Sequence, residues 1–191
     1  STSRAIWSIA LTGLVILCGV SGQFSLAQAA LFGLGGYGAA MLAAHTPLSS
    51  YAGLALAPLL GFAAGYGIGR VAGSHTLWTQ ALVTYAVVIA FPQLLRWRPI
   101  EHWTGGVQGL YLDFPMPPST LLSNDHWAFL MALAILGIGV WLAHNLIDSR
   151  SGRALKAARD QDVAATAQGV RVAQARATAS GIAGAYLAVA G

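Results

Sequence analysis

Gln23, Ser25 and Gln28 fall in one short stretch of GVSGQFSLAQAALFGLGGYGAA (Gly19–Ala40), a segment otherwise apolar enough for a membrane. Two carboxamides and a hydroxyl can donate and accept hydrogen bonds at any pH. In hydrocarbon such groups must pair with other helices, satisfy a broken backbone or line a water-filled path. Gly33, Gly35, Gly36 and Gly38 follow, with Tyr37 among them. Each glycine weakens a helix by roughly 1 kcal/mol relative to alanine, so their density needs a reason. One is close packing, because small residues let two backbones approach in lipid; Gly61, Gly65 and Gly69, spaced four apart, fit that reading better still. Gln23, Ser25, Gln28, Gly33, Gly35 and Tyr37 are the candidates for a translocation path or a broken helix.

A second stretch, SRSGRALKAARDQDVAATAQGVRVAQARA (Ser149–Ala177), carries different chemistry. Arg153, Lys156, Arg159 and Asp160 recur at helical spacing among alanines, which predicts a short helix outside the bilayer between Gly152 and Gly169. Gly169 is placed to stop it as a C′ residue. Leu155, Ala158 and Val163 fall near one face. Small residues at Ala157, Ala164, Ala165 and Ala167 leave a smooth surface suited to another protein's groove. A helix between two spans can transmit a push. A cytoplasmic partner is expected.

The elements that must position these residues follow from composition. The chain has 191 residues, 56% hydrophobic and 8% charged, with mean hydropathy +0.63. A soluble domain carries about 25% charged residues, so this chain cannot coat its own surface in water. An all-α integral membrane bundle is expected. Six apolar segments, near Ala5–Val20, Leu26–Ala44, Tyr51–Gly69, Leu77–Leu95, Trp127–Ile147 and Ala173–Gly191, approach the ~20 residues that cross a bilayer. The first two also suit a span followed by a broken, re-entrant piece, which leaves the depth of Ser21–Gln23 open. The first segment lacks a small-residue cleavage pattern and reads as a span, not a signal peptide.

Orientation follows from charge. The net charge is +4, and six of the ten basic residues (Arg150, Arg153, Lys156, Arg159, Arg171, Arg176) lie in the late stretch. That concentration marks a cytoplasmic loop and not a nucleic-acid face. The loop Arg96–His126, with Pro99, Pro115, Pro117 and Pro118 and tryptophans at its ends, then lies outside, and so does HTPLSS (His45–Ser50). Cys18 cannot form an internal disulfide. The five histidines have no partners at metal-ligand spacing, so neither metal nor cofactor is expected. No Asp, Glu, Lys, Arg or His falls within the first four segments, which argues against a proton- or sodium-coupled pump and for energy supplied from elsewhere.

Three motifs in order resemble the LivM-type membrane subunit of branched-chain amino acid ABC transporters. GQFSLAQAALFGLGGYGAA (Gly22–Ala40) is similar to the family's Gly-Gln-x-Ser-Leu-x-x-Ala-x-Phe-x-Gly-x-Gly-x-Tyr motif. TGGVQGL (Thr104–Leu110) resembles its Thr-Gly-Gly-x-x-Gly-Leu loop, and SGRALKAARDQDVAATAQGV (Ser151–Val170) its Gly-Arg-Ala-Leu loop ending in Ala-Ala-x-x-x-Gly. The resemblance covers essentially the whole chain. It implies a single permease domain (1–191) in the cell (inner) membrane of a bacterial-type cell, with its coupling loop at 149–177. It also implies that this domain is a fragment whose terminal spans are missing. Gly152, Arg153, Ala157, Arg159, Asp160, Ala164, Ala165 and Gly169 become ATPase-coupling positions. Val163 stands where permeases of many other importers carry a glutamate. The implied partners are a second permease subunit, two cytoplasmic ATPase subunits and a periplasmic or extracellular binding protein, besides membrane lipid. The implied function is import of branched-chain or related amino acids without bond chemistry in this subunit. A urea or amide permease of the same family, a secondary transporter and a non-transporting membrane scaffold are the alternatives.

Overall fold

A computed structural model of the chain describes residues 1–45, 50–72, 77–98 and 123–191. TGGVQGL, most of HTPLSS, and His75 and His102 lie outside the described residues, as does most of the long loop that holds Pro99, Pro115, Pro117 and Pro118. Helix α1 (Thr2–Leu14) continues into a π-helical segment (Val15–Val20). Then come α2 (Gln28–His45), α3 (Ser50–Ala72), α4 (Leu77–Leu95) and α5 (Asn124–Asp148). Two short helices, α6 (Arg150–Asp160) and α7 (Asp162–Ala167), precede α8 (Val172–Ala190). Among the described residues there is no strand. The all-α reading therefore holds.

Helix α8 occupies the centre. Ala177, Ala179, Gly181, Ala183, Gly184, Leu187, Ala188 and Ala190 are buried along it, against α1, α2 and α3. Its most extensive partner is α3, and the pairing is antiparallel. Gly61 lies on the Gly184 carbonyl and Ala188, Gly65 on the Ser180 carbonyl, and Gly69 beside Ser180 and Ala177. A Cβ on Gly69 would stand 2.6 Å from the Ser180 Cβ, and those on Gly61 and Gly65 would be closer still to backbone oxygen. The four-residue glycine spacing is thus a packing face, as its pattern suggests. Gly35 does the same for α2, seated on the backbone of Ala188, while Gly13 brings α1 against Ala183 and Tyr186. Tyr186 spans to α5, where its hydroxyl donates to the Gly139 carbonyl at 2.6 Å.

Four helical stretches, Thr2–Val20, Ala52–Ala72, Trp78–Leu95 and Asn124–Asp148, are long and apolar enough to cross a membrane. Helices α2 and α8, at 18 and 19 residues, are built from glycine and alanine and lie against neighbours. A helix shielded by protein does not need the hydropathy of one that faces lipid. The outer helices show the complementary pattern. Helix α4 buries Gln80 and Thr84 at 4% and 1% exposure yet presents Trp78, Leu82, Tyr85 and Ile89 outward. Helix α5 likewise exposes Leu133, Ile138, Trp141 and Leu142. Polar inside and apolar outside is the arrangement that a bilayer rewards.

Two boundaries differ from the pattern reading. Arg70, one residue past the apolar segment Tyr51–Gly69, lies in the last turn of α3, where its charge complements the helix C-terminus. Helix α5 starts at Asn124, ahead of Trp127, with extended Ser123 at its N-cap.

The α3–α8 contact generates a paired test. Gly65→Leu should destabilise the protein by about 1–3 kcal/mol through overpacking. A Cβ at Gly67, on the same helix, meets nothing within 4 Å. Gly67→Leu should leave the thermal unfolding midpoint in detergent near that of the wild type, and the two midpoints measured side by side check both expectations.

Candidate functional site

The helical path of the first span ends in a break. The π turn lets Ser21 N–H donate to the Ile16 carbonyl and Gln23 N–H to the Leu17 carbonyl, both at 3.1 Å. Gly22 then takes φ +67, a left-handed conformation that glycine adopts without a Cβ penalty. Residues 21–27 cross from the first span to α2, which runs unbroken from Gln28 to His45. Of the two topologies left open by the sequence, the break therefore precedes the second helix and does not interrupt it. The non-helical turn lies at the end of the bundle that also holds α6, α7 and the start of α8.

Gln23 ties this turn down. Its side chain is 2% exposed. Nε2 donates to the Ser21 hydroxyl at 2.5 Å and to the Arg176 carbonyl at 3.0 Å. Oε1 accepts from Gln80 Nε2 at 3.4 Å and from the Ser180 hydroxyl at 3.3 Å. Both donors and both acceptor positions of the amide are thus in use, joining the turn to α4 and α8. Thr84, one helical turn beyond Gln80, accepts from Leu26 N–H at 3.1 Å and its hydroxyl donates to the Gln80 carbonyl at 2.9 Å. Ser25 Oγ accepts from Ala27 N–H at 3.3 Å. These bonds satisfy the backbone that leaving the helix exposes.

The remaining residues of this group are packed, not gathered around an opening. Gln28 is half-buried at the start of α2. Gly33 lies under the Phe91 ring of α4, with 2.7 Å between its would-be Cβ and the ring edge. Tyr37 meets the same ring edge-on, centroids 6.4 Å apart.

The late stretch forms two helices where one was expected. Gln161, at φ −155 and ψ 110, breaks it between α6 and α7. Ser149 caps α6: its Oγ accepts from Gly152 N–H at 3.2 Å and donates to the Leu146 carbonyl at 2.6 Å. Gly152 is buried against the carbonyls of Leu146 and Ile147, so α6 can turn back tightly under α5. Arg153 reaches the Asp148 carbonyl at 2.9 Å. Leu155 and Ala158 are buried, and Leu155 packs with Leu17, Val20, Ala179 and Ala183. Val163 does not share their face: it is 84% exposed beyond the break at Gln161, and even a continuous helix would carry it about 140° round from Ala158. Ala165 is buried, Ala157 half-buried, and Ala164, Ala167 and Asp160 exposed. Gly169 closes α7 at φ +83, donating to the Thr166 carbonyl at 2.9 Å while Val170 N–H reaches the Ala165 carbonyl at 3.0 Å. That pair of bonds is a Schellman motif, with Gly169 at the C′ position its sequence context predicts.

The two groups, separated by more than a hundred residues, meet in space. The Arg159 guanidinium donates to the Gly19 carbonyl at the end of the π segment. Its aliphatic stem lies over Gly22, where a Cβ would stand 2.7 Å from Cγ. Arg176, whose carbonyl holds Gln23, pairs through its guanidinium with the Asp162 carboxylate at 2.8 Å. His144, near the end of α5, lies 3.4 Å from Asp148 on the exposed surface. The sequence reading of this site missed Gln80, Thr84 and Ser180. The signal for the first two was present: an amide and a hydroxyl four residues apart, on one face of an apolar run. Replacing Gln23 with leucine leaves Gln80, Ser180 and the Arg176 carbonyl without that partner, at about 1–3 kcal/mol for each buried group left unpaired. Gln23→Leu should therefore lower the unfolding midpoint in detergent clearly more than Gln28→Leu, as a thermal melt of the two variants will register.

In comparison with known families, residues 1–191 match the model described as the branched-chain amino acid transport system permease component. No curated protein matches, and no solved structure does. The match spans every described helix, including the Gln23 turn and the α6–α7 hairpin that folds beneath it. The chain belongs to the permease family of branched-chain amino acid transport systems.

Proposed function

We propose that this chain is the LivM-type permease of an importer that passes branched-chain or related amino acids inward across the inner membrane of a bacterial-type cell. Membership of the family makes the chain a multi-pass transport subunit that works with other components of an ABC transporter. In the proposed assembly those components are a second permease subunit, two cytoplasmic ATPase subunits that hydrolyse ATP, and a periplasmic or extracellular binding protein.

The observation that carries the reading is the α6–α7 hairpin. One side of it is fixed to the membrane helices through Gly152, Leu155, Ala158 and Ala165. The other presents Val163, Ala164 and Ala167 outward. A loop anchored on one face and smooth on the other suits docking into a partner's groove. Arg153, Ala157, Arg159 and Asp160 then hold or flank the hairpin, and Gly169 ends it. The break residues Gln23 and Ser25 take the broken-helix role, while Gln28 begins the second helix and Gly33, Gly35 and Tyr37 pack it. Transport follows as rocking of the spans between outward- and inward-open states when the ATPases close.

The test is co-purification from native membranes. Ala164 is exposed, so a tryptophan fits there in the free permease and obstructs only a docked partner. ATPase subunits should come with the tagged wild type, and Ala164→Trp should lower their recovery at least about tenfold, which corresponds to roughly 1.4 kcal/mol of interface. Equal recovery with both would remove the docking role from α7.

A further inference from the structure

The end of the first span is capped from another part of the chain. A helix leaves its last carbonyls unpaired, and here the Ile16 and Leu17 carbonyls are taken by Ser21 and Gln23 N–H groups. The Gly19 carbonyl is taken by Arg159, which reaches it from the last turn of α6. A cation at a helix C-terminus also complements the negative end of the helix dipole. Gly22 accommodates the arrangement in two ways: its φ of +67 turns the chain, and its missing Cβ leaves room for the Arg159 stem. The segment being capped is π-helical, a geometry that in general is rare and held in place by its surroundings. Leu155, on the same helix as Arg159, packs against Leu17 and Val20 of that segment.

We propose that Arg159 is the positioning residue through which movement of the α6–α7 hairpin reaches the end of the first span and the Gln23 turn. The proposal rests on the reading of the hairpin as the ATPase-docking loop. Arg159 touches no transported solute; it acts by holding the Gly19 carbonyl and the Gly22 turn to α6. When the hairpin shifts, the turn follows because guanidinium and stem both engage it. The turn in turn carries Gln23, and with it the connections to α4 and α8. The Arg176–Asp162 pair, running from α7 to the start of α8, is the second tie between the hairpin and the Gln23 network.

The experiment uses the full-length permease co-purified with its ATPase subunits and placed in nanodiscs. Phe24, 54% exposed on the turn, is replaced by cysteine in a Cys18→Ser background and labelled with an environment-sensitive fluorophore. ATP with vanadate should change the label's emission in this parent. Arg159→Met, which keeps the stem and loses the guanidinium, should abolish most of that change while ATPase subunits remain bound and ATP is still hydrolysed. Arg159→Lys should restore part of it, and it provides the comparison if the methionine variant fails to assemble. Lys156→Met removes one charge from an exposed position of the same helix and should leave the change intact. A full emission change in Arg159→Met, or none in the parent with ATPases bound, overturns the proposal. Absence of ATPase subunits from the parent overturns the docking reading itself, and the two failures are thereby told apart.

Discussion

The structure depends on how closely the backbones of α3 and α8 can approach. Lipid offers no hydrophobic drive for helices to associate, so contact must come from packing and hydrogen bonds. Gly61, Gly65 and Gly69 on one helix meet Ser180, Gly181, Gly184 and Ala188 on the other with almost no side chain between them. Because that pair is tight, α1 and α2 can also reach α8, through Gly13 and Gly35. One glycine-rich centre thus sets the positions of the surrounding helices, and the large apolar side chains are left to face outward.

That close centre makes the Gln23 turn possible. A non-helical stretch needs external partners for its polar groups, and Ser180 supplies one from the same surface of α8 that packs on Gly65. Gln80 and Thr84 supply others from α4, and the Arg176 carbonyl closes the set near the start of α8. Four bonds to one buried amide explain why a glutamine is present here and not an ionisable residue. A carboxylate could not donate to Ser21 and to the Arg176 carbonyl, and an ammonium could not accept from Gln80 and Ser180. The amide also carries no net charge into a site that is almost entirely buried.

The helices were legible because apolar runs of membrane length leave little ambiguity, and the glycine triplet of α3 announced its packing by spacing alone. Gly169 was legible for a local reason, since a helix end followed by glycine needs no tertiary information. What escaped was every feature created by contact between distant segments. Gln80 and Thr84 look like ordinary residues of a membrane helix until Gln23 and Leu26 N–H are beside them. The break at Gln161 carries no glycine or proline to signal it, so in sequence α7 reads as a continuation of α6. In sequence Ala165 reads as a small surface residue and Gly152 as a helix boundary, yet both are buried, where α7 meets the bundle and where α6 folds under α5. The long loop with TGGVQGL lies outside the described residues, so its motif rests on sequence alone.

The hairpin has to satisfy two demands that oppose each other. A loop that only docked a partner would gain from being loose, since mobility lets it adapt to a groove. A loop that transmits force must be stiff in the direction of the spans. Division of the hairpin at Gln161 separates these demands. Helix α6 is held by a cap at Ser149, by Gly152 against α5, by Leu155 in the core and by Arg159 on the first span. Helix α7 is a single short stretch with most of its surface exposed, fastened through buried Ala165 and the Asp162–Arg176 pair. In an uninterrupted helix Val163, eight residues on, would lie about 80° round from Leu155 on the same axis as α6. The break instead turns α7 to a heading of its own, so the anchored face of α6 and the exposed surface of Val163, Ala164 and Ala167 belong to separate helices.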